Sequence, residues 1–126
     1  MNVHFTANPS DVSTGAYEGN NASDEKLFAG TELAITTNDG SYKQSGTTEY
    51  ISYWGDMKGI ATYGKATHAS VFSDAGEAKQ KILSTADGFV NRTKSGFGVV
   101  MAKDDFVWGS NAVASNQGVW LLHAYY

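Results

Sequence analysis

The first informative pattern of apolar and polar positions lies in residues 27–61. Residues 33–37 combine a short apolar run with two β-branched threonines, which predicts a strand. Residues 38–40, Asn-Asp-Gly, predict a hairpin turn, because Gly adopts positive φ angles without steric cost. Residues 41–43 are then the returning strand of that hairpin.

Further short runs of β-branched and aromatic residues, bounded by glycine or by polar loops, predict more strands. They are residues 47–54, 59–63, 96–101, 106–108 and 119–122.

Residues 73–90 fit two different patterns. For a helix, Asp74 and Glu77 form a capping box, and the apolar residues fall on one helical face. Those apolar residues are Ala78, Ile82, Ala86 and Phe89, together with Leu83 and Val90. For a strand, alternate residues of the range 78–84 face inward and the turn follows at residues 87–88. The composition Glu-Ala-Lys-Gln-Lys favours the helix.

Many short strands between glycine turns predict an α+β fold that is mainly β, a small antiparallel barrel or sandwich. One helix, at about residues 74–90, interrupts the strands. Residues 25–126 are expected to form a single compact β-rich domain, since a chain of 126 residues is long enough to bury a core.

Residues 1–24 have a different composition and are predicted to be an extended N-terminal arm. They include three acidic residues, no Lys or Arg, and the only proline of the chain. One interpretation is a flexible tail. The other is an arm that becomes ordered against a partner, with Val3 and Phe5 in alternate pockets of an added strand.

Charge and composition exclude several function classes. The net charge of −4 and the lack of a basic stripe argue against nucleic-acid binding. The chain has no apolar run of about 18 residues, so no membrane span is expected. The N-terminus lacks the basic and apolar regions of a secretory signal, which predicts synthesis in the cytoplasm. The absence of cysteine excludes thiol chemistry and zinc-thiolate sites.

The sequence predicts no catalytic, cofactor-binding or metal site. His4, His68 and His123 are far apart and none has an i, i+4 partner of the same type. Nucleophile-elbow, zinc-protease and phosphate-loop motifs are absent from the sequence. Asp104 and Asp105 are adjacent, which suits a turn better than a carboxylate pair, because neighbours on a strand point in opposite directions. The chain is therefore predicted not to be an enzyme.

Aromatic residues make up 13% of the chain, which is many for a domain of this size. Most of these rings should lie in the core, because they bury large areas. A subset that stays exposed would suit either stacking against sugars or a protein–protein contact, since Trp and Tyr dominate such surfaces.

Three segments resemble the head decoration (cement) proteins of tailed bacteriophages: LFAGTELA at residues 27–34, DGSYK at 39–43 and GIA at 59–61. The resemblance implies a compact β-rich module, usually a trimer, that sits on a capsid lattice and orders its polar arm against the shell. It implies partner contacts at arm residues and at exposed aromatic rings. These are Val3, Phe5, Tyr50, Trp54, Trp120 and Tyr126.

The leading hypothesis is therefore a non-enzymatic virion protein, made in the host cytoplasm, that stabilises a capsid through protein–protein contacts. Its partners would be the capsid protein or further copies of the chain. The alternative is a carbohydrate-binding or receptor-binding β-module, such as a tail-fibre tip or a lectin, with a glycan as partner. No cofactor is expected in either case.

Overall fold

The computed structural model describes residues 22–49, 55–95 and 98–126, together with the backbone of residues 5–6 and 18–19. This part of the chain contains four α-helices that pack in chain order, α1 on α2, α2 on α3 and α3 on α4. The helices are α1 (Ser23–Thr37), α2 (Lys58–Thr67), α3 (Ala75–Arg92) and α4 (Ser110–Tyr125). Short 3-10 helices occupy Gly40–Tyr42 and Lys103–Asp105.

Two short strands pair in a two-residue antiparallel ladder, and Asp56 forms an isolated β-bridge. The ladder joins β1 (Phe5–Thr6) to β2 (Glu18–Gly19), with Phe5 opposite Gly19. The prediction of a mainly β barrel or sandwich is therefore wrong, because the described domain is helical. None of the described helices is both long enough and apolar enough to cross a membrane.

The strand predicted at residues 33–37 lies instead in the last turns of α1. Leu27, Thr31 and Ala34 are buried at spacings of four and three, which is the period of a helix face rather than of a strand. Acidic residues in the first turn complement the helix dipole. The β-branched residues near Thr37 favour a strand locally, but the packing of α1 against α2 overrides this preference.

The predicted hairpin turn at residues 38–40 is the end of α1. Asn38 adopts the left-handed conformation with φ 54°, which terminates the helix. The chain then enters the 3-10 helix Gly40–Tyr42, where the Asp39 carboxylate accepts a hydrogen bond from the Ser41 N–H at 2.8 Å. The returning strand at residues 41–43 is therefore not formed.

The strand predicted at residues 59–63 lies in α2, which packs very closely against α1. A Cβ atom on Gly64 would approach Thr31 Cγ2 to 3.1 Å. The buried hydroxyl of Thr31 donates to the Leu27 carbonyl at 2.7 Å, and that of Thr62 donates to the Lys58 carbonyl at 2.9 Å. Each hydroxyl is thereby satisfied within its own helix, so the small residues at this contact serve helix packing.

The helix predicted at residues 74–90 is confirmed as α3. Its predicted face of Ala78, Ile82, Ala86 and Phe89 is buried, whereas Val90 is exposed. The predicted capping box is wrong, because Asp74 makes no side-chain cap. Asp74 binds Lys65 instead.

The strands predicted beyond residue 95 are also wrong. Residues 98–101 have no regular structure, residues 106–108 lie in a turn, and residues 119–122 belong to α4. Residues 96–97 and the predicted strand segment 50–54 lie outside the described residues. Of the predicted arm, residues 1–24, the structure describes residues 22–24 and the backbone of β1 and β2. Helix α1 begins at Ser23, which lies inside the predicted arm.

Candidate ligand cleft

A cleft of about 350 Å³ opens where α2, α3 and the carboxyl end of α4 meet. Ile82 and Leu83 of α3 are among its apolar lining residues. Its polar and aromatic lining comprises Tyr63, Thr67, Lys79, His123, Tyr125 and Tyr126. A concave apolar surface with a few polar groups is the usual form of a small-molecule site.

His123 lies on the α4 side of the cleft and stacks against Tyr63 of α2. The two ring centroids are 3.7 Å apart and the ring planes differ by 14°. The Nδ1 atom of His123 is buried and has no hydrogen-bond partner. Burial lowers the pKa of His123 below its ordinary value, because the charged imidazolium loses solvation in such a site.

The lowered pKa of His123 predicts a loss of stability as the pH falls. The unfolded chain takes up a proton near pH 6.5, whereas the folded chain resists protonation until a lower pH. The free energy of unfolding is therefore expected to decrease from pH 7.5 to 5.5, as measured by urea denaturation. His123→Gln should show a smaller decrease, since the variant lacks the buried imidazole whose pKa is lowered. Equal pH dependence in the two proteins would contradict this assignment.

Tyr125 and Tyr126 form the outer wall of the cleft at the end of α4. Their rings meet edge to face with centroids 5.1 Å apart. Tyr126 is 92% exposed and Tyr125 is almost as open. The cleft therefore presents two accessible rings beside the His123–Tyr63 stack.

The residues predicted from sequence as partner contacts fall in different places. Tyr126 is exposed and lines the cleft. Trp120 is only 2% exposed and packs in the core, so its ring has no surface that a partner could contact in this structure. Val3, Tyr50 and Trp54 lie outside the described residues, and only the backbone of Phe5 is described.

Sequence reasoning missed Lys65, the most buried charged side chain among the described residues. Its Nζ atom donates to the Gln44 and Gly46 carbonyls at 2.7 and 2.9 Å and to the Asp74 carboxylate at 2.8 Å. The ammonium group also lies 5.6 Å from the centre of the Phe72 ring. Lys65 thereby links α2 to the segment that contains Gln44 and Gly46 and to Asp74 before α3. Since all three ammonium protons are donated to these acceptors, none is left for a ligand. The sequence signal that could have identified Lys65 is its spacing of four and three residues from Ala61 and Thr62, which are buried on the same face of α2.

The other candidate groups are engaged in local structure. The Asp105 carboxylate accepts hydrogen bonds from the Ala102 N–H at 2.7 Å and from Gln117 Nε2 at 2.8 Å, while Asp104 is exposed in the same turn. His68 Nδ1 lies 2.8 Å from the Gly64 carbonyl. Among the described residues, no group of three or more His, Asp or Glu side chains could hold a metal ion.

An acidic pair at the start of α1 also escaped the sequence analysis. Burial opposes ionisation of Asp24, but hydrogen bonds from Glu25 and from the Met57 N–H, at 2.9 Å, outweigh it and lower the Asp24 pKa. The hydrogen bond between the Asp24 and Glu25 carboxyl groups also raises the pKa of Glu25, since the proton in that bond belongs to Glu25. Asp24 thereby links the first turn of α1 to the residue that precedes α2.

Comparison of the chain with protein-family models, with curated proteins and with solved structures finds no match.

Proposed function

We propose that this chain binds a carbohydrate in the cleft between α2, α3 and the end of α4. The observation that supports the proposal is the pair of exposed tyrosine rings, Tyr125 and Tyr126, beside a cleft with a polar edge. Exposed aromatic faces stack against the C–H faces of sugar rings, while hydroxyl, ammonium and imidazole groups bond to sugar hydroxyls.

The size and lining of the cleft suit a mono- or disaccharide unit. Its volume of about 350 Å³ is at the lower end of the range of about 300–1,000 Å³ for small-molecule sites. Lys79 and the tyrosine hydroxyls supply donors and acceptors beside the apolar lining residues. The Thr67 hydroxyl already donates to the Tyr63 carbonyl at 3.0 Å, so it can only accept a hydrogen bond from a ligand. A purely apolar ligand would leave the ammonium and tyrosine hydroxyl groups without a partner in the ligand, which favours a ligand with many hydroxyls. The described lining residues include no Asp or Glu, and the proposal concerns binding alone.

Titration calorimetry with a panel of neutral and acidic mono- and disaccharides tests the proposal. At least one sugar is expected to bind, with micromolar to millimolar affinity, and Tyr126→Ala should weaken that binding at least tenfold. Loss of a stacking ring of this kind removes on the order of 1–2 kcal/mol. Tyr42→Ala is the matched control, because Tyr42 is an exposed tyrosine on the 3-10 helix and does not line the cleft.

Two results would overturn the carbohydrate proposal. One is a panel in which no sugar produces heat or shifts amide resonances near His123. The other is a sugar whose affinity falls equally in Tyr126→Ala and Tyr42→Ala, because binding would then lie outside the cleft.

The decoration function inferred from the resemblance to phage cement proteins stays a prediction. Its structural premise has changed, since the segments at residues 27–34 and 59–61 that resemble the strand motifs lie in α1 and α2.

A further inference from the structure

Among the described residues that line the cleft, Lys79 is the only side chain that is charged at pH 7. The other basic residue there, His123, is uncharged at that pH, because burial lowers its pKa. The remaining side chains of the lining are tyrosines, a threonine and apolar groups. A ligand in the cleft therefore meets one full positive charge and no carboxylate side chain of the described lining.

The ammonium group of Lys79 is not neutralised by the described residues around it. Its side chain is exposed, and the ion pairs of the described residues engage other cations: Lys58, Lys65, Lys81 and Arg92. Residues three and four positions away on α3 would face Lys79, and none of them is acidic: Ala75, Gly76, Ile82 and Leu83. Glu77, two positions away, pairs with Lys81 at 2.9 Å. The positive charge of Lys79 is therefore available to a ligand.

The net charge of −4 does not keep an anion away from Lys79. Exposed charges farther apart than about 8 Å are largely screened at physiological salt. Several carboxylates of the described chain also have a cation beside them: Asp56, Asp74, Glu77 and Asp105. The local charge at the cleft therefore matters more than the charge of the whole chain.

The α2 and α4 sides of the cleft have the opposite polarity. Thr67 is the last residue of α2 and Tyr125 is the last residue of α4, and both line the cleft. The carbonyl groups at the carboxyl end of a helix carry about half a negative elementary charge. Such carbonyls accept hydrogen bonds from hydroxyl groups, whereas the ammonium group on the α3 side only donates.

We propose that the cleft selects an acidic sugar, such as a uronic acid, whose carboxylate pairs with Lys79 while its hydroxyls face the carboxyl ends of α2 and α4. This inference rests on the carbohydrate-binding function proposed above and adds the charge of the ligand to it. Lys79 is then the residue that determines specificity.

Both attraction and repulsion contribute to this selection. A hydrogen bond between an ammonium group and a carboxylate is about twice as strong as one between neutral groups. The four-carbon stem of Lys79 is flexible, so its ammonium group can follow the carboxylate of a bound sugar. An amino sugar would place a second cation beside Lys79 and is disfavoured for that reason.

Titrations of the full chain with matched sugars, followed by calorimetry and by amide resonances near Tyr126, test the charge preference. The probes are glucuronate and galacturonate, their neutral parents glucose and galactose, and glucosamine. At least one uronate is expected to bind about five- to tenfold more tightly than its neutral parent, and glucosamine more weakly than glucose. The preference should shrink when the NaCl concentration rises from about 0.05 to 0.5 M, because exposed charges are screened.

Substitutions at Lys79 assign the preference to this side chain. Lys79→Met should bind the uronate and its neutral parent alike, and Lys79→Glu should prefer glucosamine to glucuronate. Lys26→Met is the matched control: it removes the same charge from the chain, but Lys26 is exposed on α1 and does not line the cleft. This control should keep the preference of the wild type. Since Lys79 is exposed, each variant should keep its helices, as circular dichroism would show.

Three results would overturn the proposal, and they differ in what they say of the carbohydrate function. Neutral sugars that bind as tightly as uronates leave the carbohydrate function standing but remove the role of Lys79. A preference for uronates that persists in Lys79→Met as in Lys26→Met places the acidic group at a different cation. A chain that binds none of the five sugars contradicts both proposals.

Discussion

Replacing Lys65 with Met is expected to lower the free energy of unfolding by about 3 kcal/mol. The side chain is 1% exposed, and its ammonium group donates to two backbone carbonyls and to the Asp74 carboxylate. Methionine fills a similar volume but donates no hydrogen bond, so the three acceptors lose their donor together. The Asp74 side chain is partly exposed, and water can solvate it in the variant, which limits the loss.

The loss at Lys65 should also loosen the segment between α1 and α2. Gln44 and Gly46 lie in that segment, and the Thr48 N–H further along donates to the Thr62 hydroxyl at 3.0 Å. We therefore expect faster hydrogen exchange of the Thr48 amide in Lys65→Met than in the wild type.

Urea denaturation followed by circular dichroism measures the change in stability. Lys26→Met is the matched control, because Lys26 is exposed on α1 and should change the free energy of unfolding by less than about 0.5 kcal/mol. Asp74→Asn should cost about 1 kcal/mol, since it keeps the hydrogen bond but removes the charge. A Lys65→Met protein as stable as the Lys26→Met control would show that these contacts do not hold the segment in place.

How far the sequence predicts the fold depends on whether local and tertiary signals agree. Residues 75–92 combine good helix formers with an apolar face of helical period, and α3 was predicted correctly. In α1 the threonines at its end favoured a strand, and in α2 the glycines did not favour a helix. Both helices exist because small and apolar residues at helical spacing pack against a neighbour, which a local pattern does not show.

The cleft could not be predicted for a related reason. Its residues come from three helices, and Tyr63 and His123 meet only because α4 returns across α3 toward α2. No motif spans such a separation, and α4 itself was taken for a strand from its Val-Trp-Leu-Leu run. The aromatic excess was the available signal. It did not separate the exposed Tyr126 from the buried Trp120.

Replacing Trp120 with Ala is expected to lower the free energy of unfolding by about 3–5 kcal/mol. The ring is 2% exposed and packs on Ile82, Ala86 and Phe89 of α3, which forms the main contact between α3 and α4. Alanine would leave a cavity the size of an indole, and the surrounding helices can collapse into it only in part. The cavity should also disturb the cleft and weaken the sugar binding that we propose, because the Trp120 ring lies 6.4 Å from the His123 ring, centroid to centroid.

Two further variants separate the parts of the Trp120 contribution. Trp120→Phe keeps most of the buried area but removes the hydrogen bond from Nε1 to the Ile82 carbonyl, 3.2 Å long, and should cost about 1–2 kcal/mol. Trp108→Ala removes a fully exposed indole and should change the free energy of unfolding by less than about 0.5 kcal/mol. Calorimetric unfolding of the three variants gives the comparison. If Trp120→Ala and Trp108→Ala destabilise the chain equally, α4 does not pack on α3 through this ring, and the cleft that depends on that packing is not formed.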